Sequence, residues 1–255
     1  MLLRKIQMMN GEVSLVWRGF GDSEIGPLHQ RLGLSNQDAY CLKLENQPVL
    51  IAVSDGLGSK SLSHLGAQAV THAVKRLADY SGSETVLEPL SLIKLFHEFW
   101  LDELQDVAIE QCRCTAVFAI VWEEQTLFAQ LGDGDCCIIT SSQYGDEQKA
   151  RFLTQKNDDL FANQTHSLSQ ELQINQWHFC LQPTAEIEAC FLVTDGIADD
   201  IALEHKTNFY FGLLNQYQQL SDEQVDTDVR RWISQWPVNG HSDDKTIVAL
   251  FRQCL

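Results

Sequence analysis

Short apolar runs of about four to eight residues dominate the chain, and polar punctuation separates them. Such runs occupy residues 13–20, 39–44, 49–53, 115–121, 126–131, 136–140, 177–181, 189–194 and 246–251. They are bounded by Gly, Asp, Asn and Pro, which is the pattern of strands. Glu45-Asn46-Gln47-Pro48 links the second and third runs as a hairpin. Trp122-Glu123-Glu124-Gln125 does the same for 115–121 and 126–131, and 136–140 is expected to continue that meander. A period near 3.6 appears elsewhere. Across residues 63–80, Leu65, Ala69, Val70, Ala73, Val74 and Leu77 share one helical face. Residues 89–111 repeat the pattern through Leu92, Leu95, Phe96, Phe99 and Leu104, starting from Pro89, which a first helical turn tolerates. Helical patterns return at 209–220 and 225–236, and the acidic run 222–228 suits the positive end of a helix. Two consecutive helices after a hairpin are not βαβ crossovers. The expectation is a mixed α/β chain of the α+β type, with antiparallel sheets covered by helices. No repeat, low-complexity tract or Pro/Gly/Ser-rich linker divides it, so residues 1–255 are expected to form a single domain.

Composition narrows the partners. The 255 residues are 44% apolar and 21% charged, a globular balance. Eighteen Lys and Arg face 35 Asp and Glu, for a net charge of −17. Such a chain is poorly suited to nucleic acid, which needs clustered cations to displace counterions, and to anionic lipid surfaces. No window approaches ~18 consecutive apolar residues, so no membrane span is expected. The opening MLLRKIQMMNGEVS lacks the apolar stretch and cleavage site of a secretory signal, which reads as cytoplasmic. The eight cysteines show no CxxC spacing and read as reduced, buried thiols.

Acidic residues sit at the ends of strands. Asp55-Gly56 follows 49–53, Asp133-Gly134-Asp135 follows 126–131, and Asp195-Gly196 follows 189–194. Asp38 precedes one strand, and Asp243-Asp244 precedes another. Each Asp-Gly alone is explained by turn chemistry. Gathered in one cleft, the carboxylates would instead repel one another unless cations neutralised them. Oxygen donors without His or Cys suit Mg2+ or Mn2+.

In order and spacing these segments resemble the PPM family, the metal-dependent Ser/Thr protein phosphatases of type 2C. The resemblance rests on Asn36-Gln37-Asp38-Ala39, Val53-Ser54-Asp55-Gly56-Leu57-Gly58 with Gly66-Ala67, Cys114-Thr115-Ala116, Leu131-Gly132-Asp133-Gly134, Leu192-Val193-Thr194-Asp195-Gly196 with Asp199, and Asp243-Asp244-Lys245-Thr246. It implies a four-layer α-β-β-α sandwich, two antiparallel sheets face to face with helices outside. It also implies two Mn2+ or Mg2+ ions at one end. By position, Asp55 would bridge both and the Gly56 carbonyl would bind one. Asp195 and Asp243 would hold the other, Asp38 would bind or orient a metal-held water, and Asp133 matches an acid linked to a third, weaker metal in some members. The implied reaction is hydrolysis of phosphoserine or phosphothreonine in proteins. Water bridging two divalent ions loses its proton easily and attacks phosphorus without a covalent enzyme intermediate. A cognate Ser/Thr kinase is the implied partner.

The departures have consequences. Gln37 stands where the family has Glu, so a carboxylate is replaced by an amide. The family's phosphate-binding Arg position holds Gly33, which makes Arg31, on what reads as an irregular loop, the shifted candidate for the substrate phosphate. Leu57 follows Asp55-Gly56 where animal enzymes place a His. His29 reads as a loop-packing residue, His241 as part of a turn and Lys60 as a solvated cation. With His29-Gln30 and Gln37-Asp38, and with Gly58-Ser59-Lys60 and Gly66-Ala67, the chain most resembles a divergent bacterial branch of the family. The departures also sustain a second reading, a catalytically weak or inactive PPM-like regulator that binds phosphoprotein. A haloacid-dehalogenase-type phosphatase built on Asp133-Gly134-Asp135 would need a parallel sheet, which the hairpins oppose.

Overall fold

In the computed structural model, residues 15–81, 88–140, 148–154 and 165–254 are described, and they supply ten strands and six helices. In chain order these are β1 (Leu15–Glu24), α1 (Pro27–Leu32), β2 (Ala39–Lys43), β3 (Val49–Ser54), α2 (Ser63–Ser81), α3 (Pro89–Glu103), β4 (Ala116–Val121) and β5 (Gln125–Leu131). There follow β6 (Asp135–Thr140), β7 (Lys149–Phe152), β8 (His178–Pro183), β9 (Ile187–Val193), α4 (Asp195–Ala198), α5 (Leu203–Tyr217), α6 (Asp222–Ser234) and β10 (Lys245–Cys254). One sheet has the order β1-β10-β9-β6-β7 and the other β2-β3-β4-β5-β8. Every named strand pair is antiparallel.

The side-chain period of two explains the layering. Along β3, Leu50 and Ala52 join the core under α2 and α3, whereas Val49, Ile51 and Val53 join the core between the sheets. β4 splits the same way, with Phe118 and Ile120 toward the helices and Val117 and Ala119 toward the other sheet. On the second sheet, Phe191 and Val193 of β9 and Ala249 and Phe251 of β10 face α5 and α6, while Leu192, Val248 and Leu250 face inward. Strands covered on both faces read as continuous apolar runs, and β3 and β4 are buried at every position. The result is the expected α-β-β-α sandwich.

Two expectations need correction. Residues 136–140 do not extend the β4–β5 meander. β6 crosses to the other sheet and pairs with β9 and β7. The helix starting at Pro89 ends at Glu103, and residues 109–111 form a separate 3-10 turn. Three elements were not anticipated: α1, six residues that bury only His29, α4, four residues opening at Asp195, and β7, a four-residue edge strand. Residues 13 and 14 of the first expected strand lie outside the described residues.

Antiparallel pairing gathers the acidic strand ends. Ala39 of β2 sits opposite Ser54 of β3, and Val53 opposite Val117 of β4. In the other sheet Val193, the last residue of β9, faces both Ile247 of β10 and Asp135 of β6. The residues just beyond these ends therefore share one end of the sandwich.

Candidate metal centre

Carboxylate oxygens of Asp55, Asp133 and Asp195 lie within 4.8 Å of one another. Each is aimed by backbone fixed on both sides. The Asp55 N–H donates to Thr115 Oγ1 at 2.9 Å, and the Asp55 carbonyl accepts from the Thr115 N–H at 2.8 Å. The next N–H, of Gly56, donates to the Gln37 carbonyl at 3.1 Å, which ties the Asp55 loop to the Asp38 segment. Asp133 sits in the crossing from β5 to β6. Gly132 turns the chain there at φ 114°, a conformation L residues rarely adopt, and Gln130 Nε2 donates to the carbonyls of Gly132 and Gly134. Asp195 opens α4.

Asp38 and Asp243 complete the ring. Asp38 Oδ2 accepts from Thr194 Oγ1 at 2.8 Å and Thr246 Oγ1 at 2.7 Å. Asp243 Oδ1 accepts from the Asp244 N–H at 2.9 Å. A cleft of about 230 Å³ opens beside Asp195 and Asp243, with Asp199, Asp200, His241 and Lys245 on its walls. Lys245 Nζ lies 2.9 Å from His241 Nδ1 and donates to the Asp243 carbonyl at 3.0 Å, so it braces the loop behind Asp243.

These carboxylates hold their protons unusually well. Burial, and then the charges of Asp38, Asp195, Asp243 and Asp133, push Asp55 well above the ordinary carboxylate range. Burial followed by repulsion from Asp133, Asp243, Asp38 and Asp199 raises Asp195 to about 8. Asp38 is raised to about 7, chiefly by burial and against the pull of the Thr246 and Thr194 hydroxyls. Asp243 is raised by burial and by Asp244. A group of acids that resists ionisation in its own company is one that a divalent cation would relieve. Two buried oxygens point the same way: Asp133 Oδ1 and Gln37 Oε1 have no hydrogen-bond partner among the described residues. An all-oxygen donor set with unused lone pairs fits Mg2+ or Mn2+ rather than a soft metal.

A protein phosphatase 2C family profile matches residues 25–236, most of the chain and all of the acids above except Asp243 and Asp244. The chain belongs to the protein phosphatase 2C family. This makes it a hydrolase, a protein serine/threonine phosphatase of the PPM type. It is 27% identical to serine/threonine-protein phosphatase 3 of Escherichia coli strain K12, over 92% of this chain and 97% of that one. Its structure resembles the catalytic domain of the serine/threonine protein phosphatase PstP, solved in complex with two manganese ions, with a TM-score of 0.63 and 16% identity over 94% of this chain and 99% of that one. It likewise resembles the phosphatase Stp1 from Staphylococcus aureus, with a TM-score of 0.62 and 15% identity over 96% and 99%. At these identities the structural likeness is one of fold.

The phosphatase brings Asp38, Asp55, Gly56, Asp133, Asp195 and Asp243 to one end, as their positions beyond strand ends suggested. Arg31 is placed differently. It lies in the last turn of α1 rather than on an irregular loop, is exposed, and makes no hydrogen bond or ion pair to the acids among the described residues. Several residues of this phosphatase's site escaped sequence reasoning. Asp244, 2% exposed, accepts from the N–H groups of Gly26 at 2.7 Å and Gln37 at 2.6 Å, and it pairs with His29 Nδ1 at 2.9 Å. The paired acids Asp243-Asp244 hinted at this, because neighbouring side chains at a strand start point to opposite sides. Nothing local pointed to His29. Among the described residues, no helix is long and apolar enough to cross a membrane.

Proposed function

We propose that this phosphatase hydrolyses phosphoserine and phosphothreonine in proteins at the Asp55 end of the sandwich, using two divalent cations, Mn2+ or Mg2+. The observation that carries the reading is the approach of Asp55, Asp133 and Asp195 within 4.8 Å. In this reading Asp55, the Gly56 carbonyl, Asp195 and Asp243 would hold the two ions, and Asp133 would serve a further, weaker one. Bound there, the ions would lower the pKa of a water and neutralise charge gathering on the phosphoryl oxygens.

The chain's own residues supply orientation. Asp38 has Oδ2 committed to Thr194 and Thr246 and meets the Asp55 carboxylate beside it; with ions bound, its other oxygen would accept from, and aim, the attacking water. Gln37 Oε1, buried and unpartnered, offers a second acceptor beside Gly58. We assign residues 1–255 to one phosphatase domain acting in the cytoplasm, opposite a Ser/Thr kinase. A regulator without chemistry has no physical need of Asp55, Asp133 and Asp195 held within 4.8 Å, and the mutual repulsion of such carboxylates argues against that reading.

The test is hydrolysis of a phosphopeptide and of p-nitrophenyl phosphate by purified protein. Turnover should require Mn2+ or Mg2+ and stop in EDTA. Undiminished turnover in EDTA would overturn the mechanism.

A further inference from the structure

The acidic end of the molecule needs a cation of its own to receive a phosphate dianion, and the family's usual position for one holds Gly33. Arg113 stands at this end. Its carbonyl accepts from the Leu57 N–H at 3.0 Å, and the residue after it, Cys114, bridges to Gly56. Arg113 therefore lies directly beside the Asp55-Gly56-Leu57 segment.

Its side chain is held against the segment that also binds Asp133. Residues two apart in extended chain share a face. Two residues on from Arg113, Thr115 contributes its hydroxyl to the Asp55 N–H, and its methyl packs on Gly132: a Cβ built there would lie 2.6 Å from Thr115 Cγ2. The guanidinium itself is anchored. Arg113 Nε donates to Ser167 Oγ at 3.0 Å, and Ser167 is 3% exposed. Two residues before Ser167, Thr165 Oγ1 donates to Asp133 Oδ2 at 2.7 Å. The segment from Thr165 to Leu168 thus runs from the Asp133 loop to Arg113, and the Leu168 N–H closes it on the Cys114 carbonyl at 2.8 Å.

This leaves an oriented fork. Nε is occupied, so the guanidinium plane is set, while Nη1 and Nη2 have no hydrogen-bond partner among the described residues. Arg113 is half-buried, which lowers the competing hydration of the fork. A planar fork with two free N–H edges matches two oxygens of a phosphoryl group. The other cations nearby are less suited. Lys245 is engaged with His241 and the Asp243 carbonyl, and Arg31 is exposed.

We propose that Arg113 receives the phosphoryl group of the substrate, and the phosphate product, at this site. The inference rests on the phosphatase reading above and assigns it a substrate-contacting residue. The deciding experiment is calorimetric titration of inorganic phosphate into Mg2+-loaded protein, run beside separate Mg2+ titrations and thermal unfolding. Arg113→Ala should bind phosphate roughly ten-fold or more weakly, the loss expected for a charge-assisted hydrogen-bonded pair, with Mg2+ affinity and Tm near wild type. Arg113→Lys should recover part of the affinity, since it keeps charge without the fork, and Ser167→Ala should fall between wild type and Arg113→Ala. With p-nitrophenyl phosphate, KM should rise in step with the phosphate dissociation constant. Phosphate binding unchanged in Arg113→Ala, or lost in Arg31→Ala instead, would overturn the inference while leaving metal-dependent hydrolysis in place. If the wild type binds phosphate through Arg113 yet shows no metal-dependent turnover, the catalytic reading fails and the contact stands.

Discussion

Thr246 Oγ1 donates to Asp38 Oδ2 across 2.7 Å, joining the first residue-level landmark of the site to the last strand of the fold. A hydroxyl has one proton, and this one is spent on Asp38. The Ser23–Thr246 contact at 2.7 Å must then run from Ser23 to Thr246, and Asn36 Nδ2 in turn donates to Ser23 Oγ at 2.9 Å. The chain Asn36 to Ser23 to Thr246 to Asp38 has a single direction and ends on a carboxylate oxygen. With Thr194, just after β9, also donating to Oδ2, Asp38 just before β2 is oriented by the opposite sheet.

Thr246→Val tests that device because it keeps the shape and removes the donor. We expect kcat to fall by roughly ten-fold, in line with a lost hydrogen bond to a charged group, and the Mn2+ concentration needed for half-activity to rise. Thr246→Ser should restore both. Steady-state kinetics across a Mn2+ series reads the outcome, and an unaltered Val variant would show that Asp38 is oriented by other means.

The raised carboxylates make a pH prediction for the metal-free protein. An acid whose folded pKa lies above its unfolded value binds more protons folded than unfolded, so stability falls as pH rises between the two. With Asp38 at about 7 and Asp195 at about 8, the loss runs from the ordinary carboxylate range near pH 4 up to about pH 8. In EDTA, Tm should be higher near pH 6 than near pH 8.5. Mn2+ should reverse the order, because it binds the deprotonated acids. Asp195→Asn should raise Tm in EDTA at the higher pH while abolishing turnover. A Tm in EDTA that climbs with pH through this window would contradict the assignment of the acids to one cluster.

Much of this arrangement was legible in the residues, and the reasons differ from element to element. β3 and β4 announced themselves because strands buried on both faces are unbroken apolar runs. α2 did so because its apolar face repeats over five turns' worth of sequence. α1 did not. Its sequence PLHQRL places Leu28 and Leu32 in solvent, 40% and 62% exposed, and buries His29. The crossing of β6 to the other sheet was illegible because Gly132-Asp133-Gly134-Asp135 has the composition of a tight hairpin turn. Only the backbone at Gly132 shows the strand leaving its sheet. The ring of acids was readable through the order of the motifs. Their supports, Asp244 with His29 and Thr246 with Asp38, join positions about 200 residues apart, and no local pattern encodes such a pair.

Asp244 carries the next prediction. Its carboxylate satisfies two buried N–H groups and the His29 ring. Asp244→Ala leaves those donors unmet, at about 1–3 kcal/mol each. Each kcal/mol corresponds to about 2–4 °C in a chain of this size. Asp244→Asn keeps an acceptor for one N–H but turns its own donor toward another, so it should fall between. His29→Ala should cost less than Asp244→Ala, since it removes one partner and leaves the backbone donors paired. Because Gln37 adjoins Asp38, the requirement for Mn2+ should rise in the same order. Equal thermal stability of wild type and Asp244→Ala would refute the clamp.

Two glycines in helices separate packing from propensity. Ala is favoured over Gly inside a helix by about 1 kcal/mol, so Gly→Ala stabilises wherever there is room. Gly212 in α5 has room, with nothing within 4 Å of an added Cβ, and Gly212→Ala should raise Tm by a few degrees. Gly196 in α4 has none: its Cβ would lie 1.9 Å from the Asp244 carbonyl and 3.5 Å from Asp243 Cβ. Backbone meets backbone there, so relief requires α4 to move away from the start of β10, carrying Asp195 away from Asp243. Gly196→Ala should therefore weaken Mn2+ binding, measured by calorimetry, beyond what its loss of Tm alone would suggest. If the Ala variant gained stability as Gly212→Ala is expected to, and bound Mn2+ normally, the close seating of Asp195 against the Asp243 loop would be wrong.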